Sequence, residues 1–122
     1  MATIKAYTDI SQSKMLAKIL PLKSADMHYH YDNDFGELES IPTITEEDDH
    51  FVLFSKDVRC WSLAALLGVL PEYNLQRTDW GNKTEYKIVV TIDEENYASK
   101  NYDNPLDACV DLIEHLNKLK LL

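Results

Sequence analysis

The sequence predicts an α+β fold, in which about three helices pack on one face of a mostly antiparallel sheet. Helical apolar stripes with capping residues occur near both ends and in the middle of the chain, and alternating apolar and polar residues lie between them. The 122 residues are 45% hydrophobic, which is typical of a single domain with one core. We therefore expect one domain over residues 1–122, in the order helix, strand, acidic loop at about 32–50, helix, three-stranded meander and helix.

The first predicted helix runs from Asp9 to Leu20. Asp9 is a suitable N-cap, and Gln12 three residues later completes a capping box. Pro21 should end the helix because proline cannot continue it. The apolar stripe of this helix is Met15, Leu16, Ile19 and Leu20.

The next segment, residues 25–31, has the alternation of a half-buried strand. Its predicted apolar face is Met27, Tyr29 and Tyr31, and its predicted polar face is Asp26, His28 and His30. A loop containing Gly36 and Pro42 follows. Residues 51–54 then read either as a short buried strand or as the entry to the next helix.

The central helix is predicted to be capped by Ser62, to be apolar on all sides over residues 63–70, and to end at Pro71. Three strands should follow at residues 73–78, 85–92 and 96–102, separated by turn residues at 81–82 and 93–95.

The last helix should begin after the cap Asn104, with Pro105 at its first position. The two cysteines, Cys60 and Cys109, have apolar neighbours, which favours two buried free thiols over a disulfide. The N-terminal residues lack a signal-peptide pattern, and no apolar run is long enough to span a membrane, so we expect a cytoplasmic protein without a membrane contact.

The negative charge is concentrated in one part of the chain. The formal net charge is −9, and residues 24–55 contain nine acidic residues and no Lys or Arg. The rest of the chain has 12 acidic and 12 basic residues, so it is balanced. Such a segment repels phosphate backbones, which argues against nucleic-acid binding through it, and it attracts a basic protein surface or a cation.

The main functional hypothesis is therefore a non-catalytic acidic protein that binds a basic protein surface. An aromatic residue at a turn, Trp80, is a further candidate anchor because large rings dominate binding hot spots. The predicted partner-binding residues are Asp32, Asp34, Glu37, Glu39, Glu46, Glu47, Asp48, Asp49 and Trp80.

Two other kinds of site remain open. A small ligand such as a signalling nucleotide would need aromatic rings beside cations, which the meander supplies in Tyr73, Arg77, Lys83, Tyr86 and Lys87. A divalent metal could be chelated by residues two apart on a strand, namely Asp26, His28 and His30, and such a metal could be adventitious. No cofactor is expected otherwise, since the sequence has no glycine-rich phosphate loop and no nucleophile motif.

Three segments resemble a family of small proteins from gut bacteria of the Bacteroides type and from their phages and mobile elements. The segments are residues 5–14, residues 60–71 and residues 103–109. The resemblance supplies no catalytic motif, and its residues coincide with predicted caps and core positions. It implies a phage or mobile-element setting, in which a small protein acts as an inhibitor or decoy by binding a host factor, or binds a signalling nucleotide.

Overall fold

A computed structural model describes residues 5–46 and 56–122 of the chain. These residues form three α-helices and eight short or medium strands, all paired antiparallel, which confirms the predicted α+β class. In chain order the elements are α1 (Ile10–Leu16), β1 (Met27–Tyr29), β2 (Tyr31–Asp32), β3 (Glu37–Leu38), β4 (Thr43–Ile44), β5 (Val58–Cys60), α2 (Leu63–Val69), β6 (Tyr73–Asp79), β7 (Thr84–Ile92), β8 (Glu95–Ala98) and α3 (Pro105–Lys118).

The helix starts follow the predicted capping residues. The Asp9 carboxylate accepts a hydrogen bond from the Gln12 N–H at 2.7 Å, and the Asp9 N–H donates to Gln12 Oε1 at 3.1 Å. Ser62 caps α2, and Asn104 caps α3 ahead of Pro105. Each cap satisfies main-chain N–H groups that a helix leaves without internal partners.

The first helix is shorter than predicted, since it ends at Leu16 rather than Leu20. The next residues form a tight turn in which Lys18 N–H donates to Met15 O and Ile19 N–H donates to Leu16 O. The backbone of a residue before proline is biased away from the helical region, and Leu20 precedes Pro21. The chain therefore leaves the helix before the proline.

The predicted strand at residues 25–31 is two strands in two different sheets. β1 lies between β4 and β5 in a three-stranded sheet, whereas β2 pairs only with β3. The predicted acidic loop at residues 32–50 is therefore not a simple loop, because its described part up to Glu46 contains β3 and β4. The predicted element at residues 51–54 lies outside the described residues.

The third sheet is the predicted meander, with the order β6-β7-β8. A turn at Gly81 and Asn82 joins β6 to β7, and Gly81 has a φ of 71° that favours glycine. The third strand ends at Ala98, four residues before its predicted end, and Tyr102 then makes an isolated bridge back to Tyr86.

The hydrophobic core joins all three helices to β7. Trp61 is fully buried, and its indole N–H donates to Ser24 Oγ at 2.9 Å. The helix α2 is less buried than predicted: Leu66 is its one buried residue, and Ala64 and Gly68 are exposed. The other large, fully buried core residues are Leu16, Ile88, Val90, Leu106, Leu112, Ile113 and Leu116.

Candidate functional site

The hairpin formed by β2 and β3 lies at the centre of the acidic segment. Its register pairs Tyr31 with Leu38 and Asp32 with Glu37. The Asp32 carboxylate accepts a hydrogen bond from the Asp34 N–H at 2.9 Å, and the Gly36 N–H donates to the Asp32 carbonyl at 2.7 Å. These bonds define the turn, in which Gly36 has a φ of 71°.

The hairpin is attached to the rest of the protein through Asp57. This carboxylate, whose side chain is 2% exposed, accepts a hydrogen bond from the Tyr31 N–H at 2.8 Å and lies 3.3 Å from His30 Nδ1. On the other strand, the Glu39 N–H donates to the His30 carbonyl at 2.8 Å. This second bond closes the base of the hairpin, and the Asp57 carboxylate connects its first strand to the residue before β5.

Large apolar side chains are exposed on this hairpin. Phe35 at the turn is 79% exposed, and Ile41, just after β3, is 68% exposed. Both line an open depression of about 470 Å³. Its complete lining is Asp32, Phe35, Glu37, Leu38, Glu39, Ser40 and Ile41. We call residues 32–41 the acidic hairpin surface.

Three carboxylates, those of Asp32, Glu37 and Glu39, line the same depression as these apolar groups. Asp34, Glu37 and Glu39 are exposed, and Asp32 is half-buried. Glu46, also exposed, follows β4. The structure thus brings Asp32, Glu37 and Glu39 into one depression, while Glu47, Asp48 and Asp49 lie outside the described residues.

The predicted anchor Trp80 belongs to a different sheet. It lies at the turn between β6 and β7 and is 63% exposed, as expected for a residue at a hairpin tip. It does not line the depression at the acidic hairpin surface. The two features therefore belong to separate surfaces.

The residues of the predicted small-ligand site lie on two faces of the meander. Arg77 pairs directly with Tyr86, and Tyr73 pairs with Val90, so these side chains share the face that carries the buried Val90. Lys87 is adjacent to Tyr86 and so points to the opposite face. Arg77 forms an ion pair with Asp79 at 3.3 Å, and Lys83 forms one with Glu85 at 3.0 Å. The five residues do not converge on one pocket.

The predicted metal ligands have separate partners. The Asp26 carboxylate accepts hydrogen bonds from the Ser62 N–H at 2.9 Å and from the Ser62 hydroxyl. His28 Nδ1 lies 2.8 Å from Thr45 Oγ1, and His30 faces Asp57. Within residues 5–46 and 56–122, no group of three or more His, Cys, Asp or Glu side chains is arranged to hold a metal ion.

Both cysteines are buried and free, as predicted. Burial raises the pKa of the Cys109 thiol to about 12. Burial is also the largest influence on Cys60, whose pKa is raised despite hydrogen bonds with Thr8, Ser13 and Tyr29 that lower it. Burial therefore favours the protonated form of both thiols.

Sequence reasoning did not single out Phe35, Ile41 or Asp57. The first two are isolated apolar residues among acidic and turn residues, without the periodicity of a core element. That pattern is a usable indication of exposed apolar groups. The role of Asp57 depends on a contact with Tyr31, 26 positions away in the sequence, so no local pattern indicates it.

Comparison with known proteins gives no match: no family model, no curated protein and no solved structure is similar to this chain. In the part of the chain that the structure describes, no helix has both the length and the apolar character needed to cross a membrane.

Proposed function

We propose that this chain is a non-catalytic binding protein whose acidic hairpin surface engages a basic protein surface. The observation that carries the proposal is the exposure of Phe35 and Ile41 in a depression that is also lined by Asp32, Glu37 and Glu39. Exposed apolar groups with a polar rim are typical of interaction sites.

The two kinds of side chain have different roles in this proposal. The carboxylates attract a basic partner and orient it during approach, because residues 24–46 contain six acidic residues and no Lys or Arg. Phe35 and Ile41 then supply apolar area that is removed from water in the complex, which slows dissociation. The preferred partner surface therefore carries Arg or Lys around one or more apolar side chains.

The biological setting of this proposal comes from the sequence resemblance to phage and mobile-element proteins. In that setting the partner is a cytoplasmic host protein, and binding blocks its basic surface. The chain would then act as an inhibitor or decoy.

Affinity measurements with two synthetic peptides test the proposal. One peptide is rich in arginine and leucine, and the other has the same charge with serine in place of leucine. We expect tighter binding of the first peptide. Both peptides should bind more weakly when salt is raised from about 0.05 M to about 0.5 M, because the added ions screen the attraction between charges. Equal affinities, or affinities that do not change with salt, would contradict the proposal.

Two charge-reversal variants separate local charge from net charge. The first combines Glu37→Lys with Glu39→Lys, and the matched control combines Glu94→Lys in the turn before β8 with Glu95→Lys at the exposed start of β8. Both change the net charge equally, so only a local acidic site makes the first variant the weaker binder. Phe35→Ser should weaken binding of the leucine peptide by about tenfold or more, as for a hot-spot aromatic residue.

A further inference from the structure

The edge strand β6 is exposed on both faces along its whole length. All seven of its residues are exposed, including Tyr73 and Leu75, which are 44% and 38% exposed. It is the outer strand of the sheet order β6-β7-β8, and α3 packs against β7 and β8. An edge strand of this length presents a row of main-chain groups that can pair with another strand.

The pairing of β6 with β7 shows which main-chain groups point outward. The Trp80 N–H donates to the Lys83 carbonyl, and the Thr91 N–H donates to the Glu72 carbonyl. Hydrogen-bonded pairs alternate in an antiparallel ladder, so the even-numbered residues of β6 bond to β7. The residues whose main-chain groups point to the free edge are Tyr73, Leu75, Arg77 and Asp79. Their main-chain N–H and C=O groups have no hydrogen-bond partner among the described residues.

β6 also lacks most of the features by which edge strands usually resist pairing. It contains no proline, no lysine and no bulge, and its one cation, Arg77, is balanced by Asp79. Residues 71–92 as a whole contain three basic and three acidic residues. Another acidic chain can therefore approach this part of the protein without charge repulsion.

We infer that β6 pairs antiparallel with β6 of a second copy of this chain, which makes a continuous six-stranded sheet across a two-fold axis at Gln76. This register overlaps all seven residues and gives about eight main-chain hydrogen bonds between the outward residues. It places Leu75 opposite Arg77, Tyr73 opposite Asp79 and Asn74 opposite Thr78 of the second copy. No like charges face each other directly.

Neighbouring registers are less favourable. A two-fold axis at Arg77 places two guanidinium groups opposite each other, which is destabilising. An axis at Leu75 leaves Asp79 without a strand partner. The self-complementarity of β6 thus favours a second copy over a strand of unrelated sequence, and it is independent of the acidic hairpin surface.

Disulfide trapping tests this register. In it, Gln76 faces Gln76 of the second copy as a non-hydrogen-bonded pair, with Cα atoms about 4.5 Å apart, which a disulfide can bridge. Gln76→Cys should give a covalent dimer under mild oxidation. Thr78→Cys is the matched control on the same face of the same strand, and it should give no covalent dimer because it faces Asn74 of the second copy. The native thiols do not interfere because Cys60 and Cys109 are buried.

Sedimentation of the unmodified chain gives the second measurement. We expect a dimer that dissociates on dilution, since edge pairing buries less than the roughly 800 Å² per partner of a standard interface. Leu75→Pro should abolish it, because proline removes an outward N–H without removing a bond to β7. The inference would be overturned by equal cross-linking of Gln76→Cys and Thr78→Cys, or by a chain that stays monomeric at high concentration. The Glu37→Lys, Glu39→Lys variant should retain the dimer, which separates this result from that of the proposed function.

Discussion

The Asp57 carboxylate accepts the main-chain N–H of Tyr31 at 2.8 Å, and this contact links the residue before β5 to the start of β2. It places the acidic hairpin surface on the folded body, although the hairpin's own strands are two residues each. A two-residue ladder is too short to be stable alone. The candidate site therefore depends on a buried polar contact outside it.

Removing this contact should loosen the hairpin. In Asp57→Ala the Tyr31 N–H loses its partner, which should lower the free energy of unfolding by about 1–3 kcal/mol. The amide of Tyr31 should also exchange faster with solvent. Asp57→Asn keeps an acceptor oxygen and should lose less stability. Hydrogen exchange and urea unfolding measure both effects, and equal losses in the two variants would contradict the assigned role.

A second prediction concerns Asp26, whose carboxylate binds the Ser62 N–H and hydroxyl at the start of α2. Asp26→Ala leaves both groups without this acceptor and should cost about 1–3 kcal/mol of stability. The control Asp34→Ala removes the same charge from an exposed side chain and should change stability by less than about 0.5 kcal/mol. Urea unfolding compares the two, and similar losses would show that Asp26 has no special structural role.

The turn between β7 and β8 predicts a substitution that stabilises the protein. Asp93 and Glu94 have φ angles of 51° and 69°, a region that favours glycine at the second position. Glu94→Gly should therefore raise the free energy of unfolding by about 0.5–1 kcal/mol. The adjacent control Glu95→Gly lies in β8 and should be destabilising. Thermal unfolding measures both, and a loss of stability in Glu94→Gly would contradict the turn geometry.

The pH dependence of stability should reflect Asp107, which connects the start of α3 to α1. Partial burial alone would raise the pKa of this carboxyl, but hydrogen bonds from Asn104, Gln12 and Lys5 outweigh it and hold the pKa below its ordinary value of 3.8. The stabilisation is therefore complete above pH 3.8 and is lost as the pH falls through the pKa of the folded state.

The variant Asp107→Asn tests this predicted dependence of stability on pH. It should be less stable than the parent chain at pH 7, and the difference should shrink as the pH falls below 3.8. Urea unfolding at pH 7 and near pH 3 measures the change. A difference that is constant with pH would mean that the charge on Asp107 does not contribute.

The parts of the fold that sequence predicts well are those set by neighbouring residues. The cap pair Asp9 and Gln12 acts over three positions, and the meander turns lie between adjacent strands. The sheet of β4, β1 and β5 was missed because β1 finds both partners far along the chain, pairing Met27 with Cys60. The charge of residues 24–55 is also evident from the sequence. The exposure of Phe35 is not, because it depends on which elements of the fold pack against the hairpin.

The most direct test of the acidic hairpin surface is a titration of the isotope-labelled chain with the peptide rich in arginine and leucine, monitored through the amide signals by NMR. We predict that the chemical-shift changes are concentrated in residues 32–41 and become much smaller in the Glu37→Lys, Glu39→Lys variant. Changes concentrated in the meander, or changes of equal size in the Glu94→Lys, Glu95→Lys control and in the hairpin variant, would contradict the proposed function.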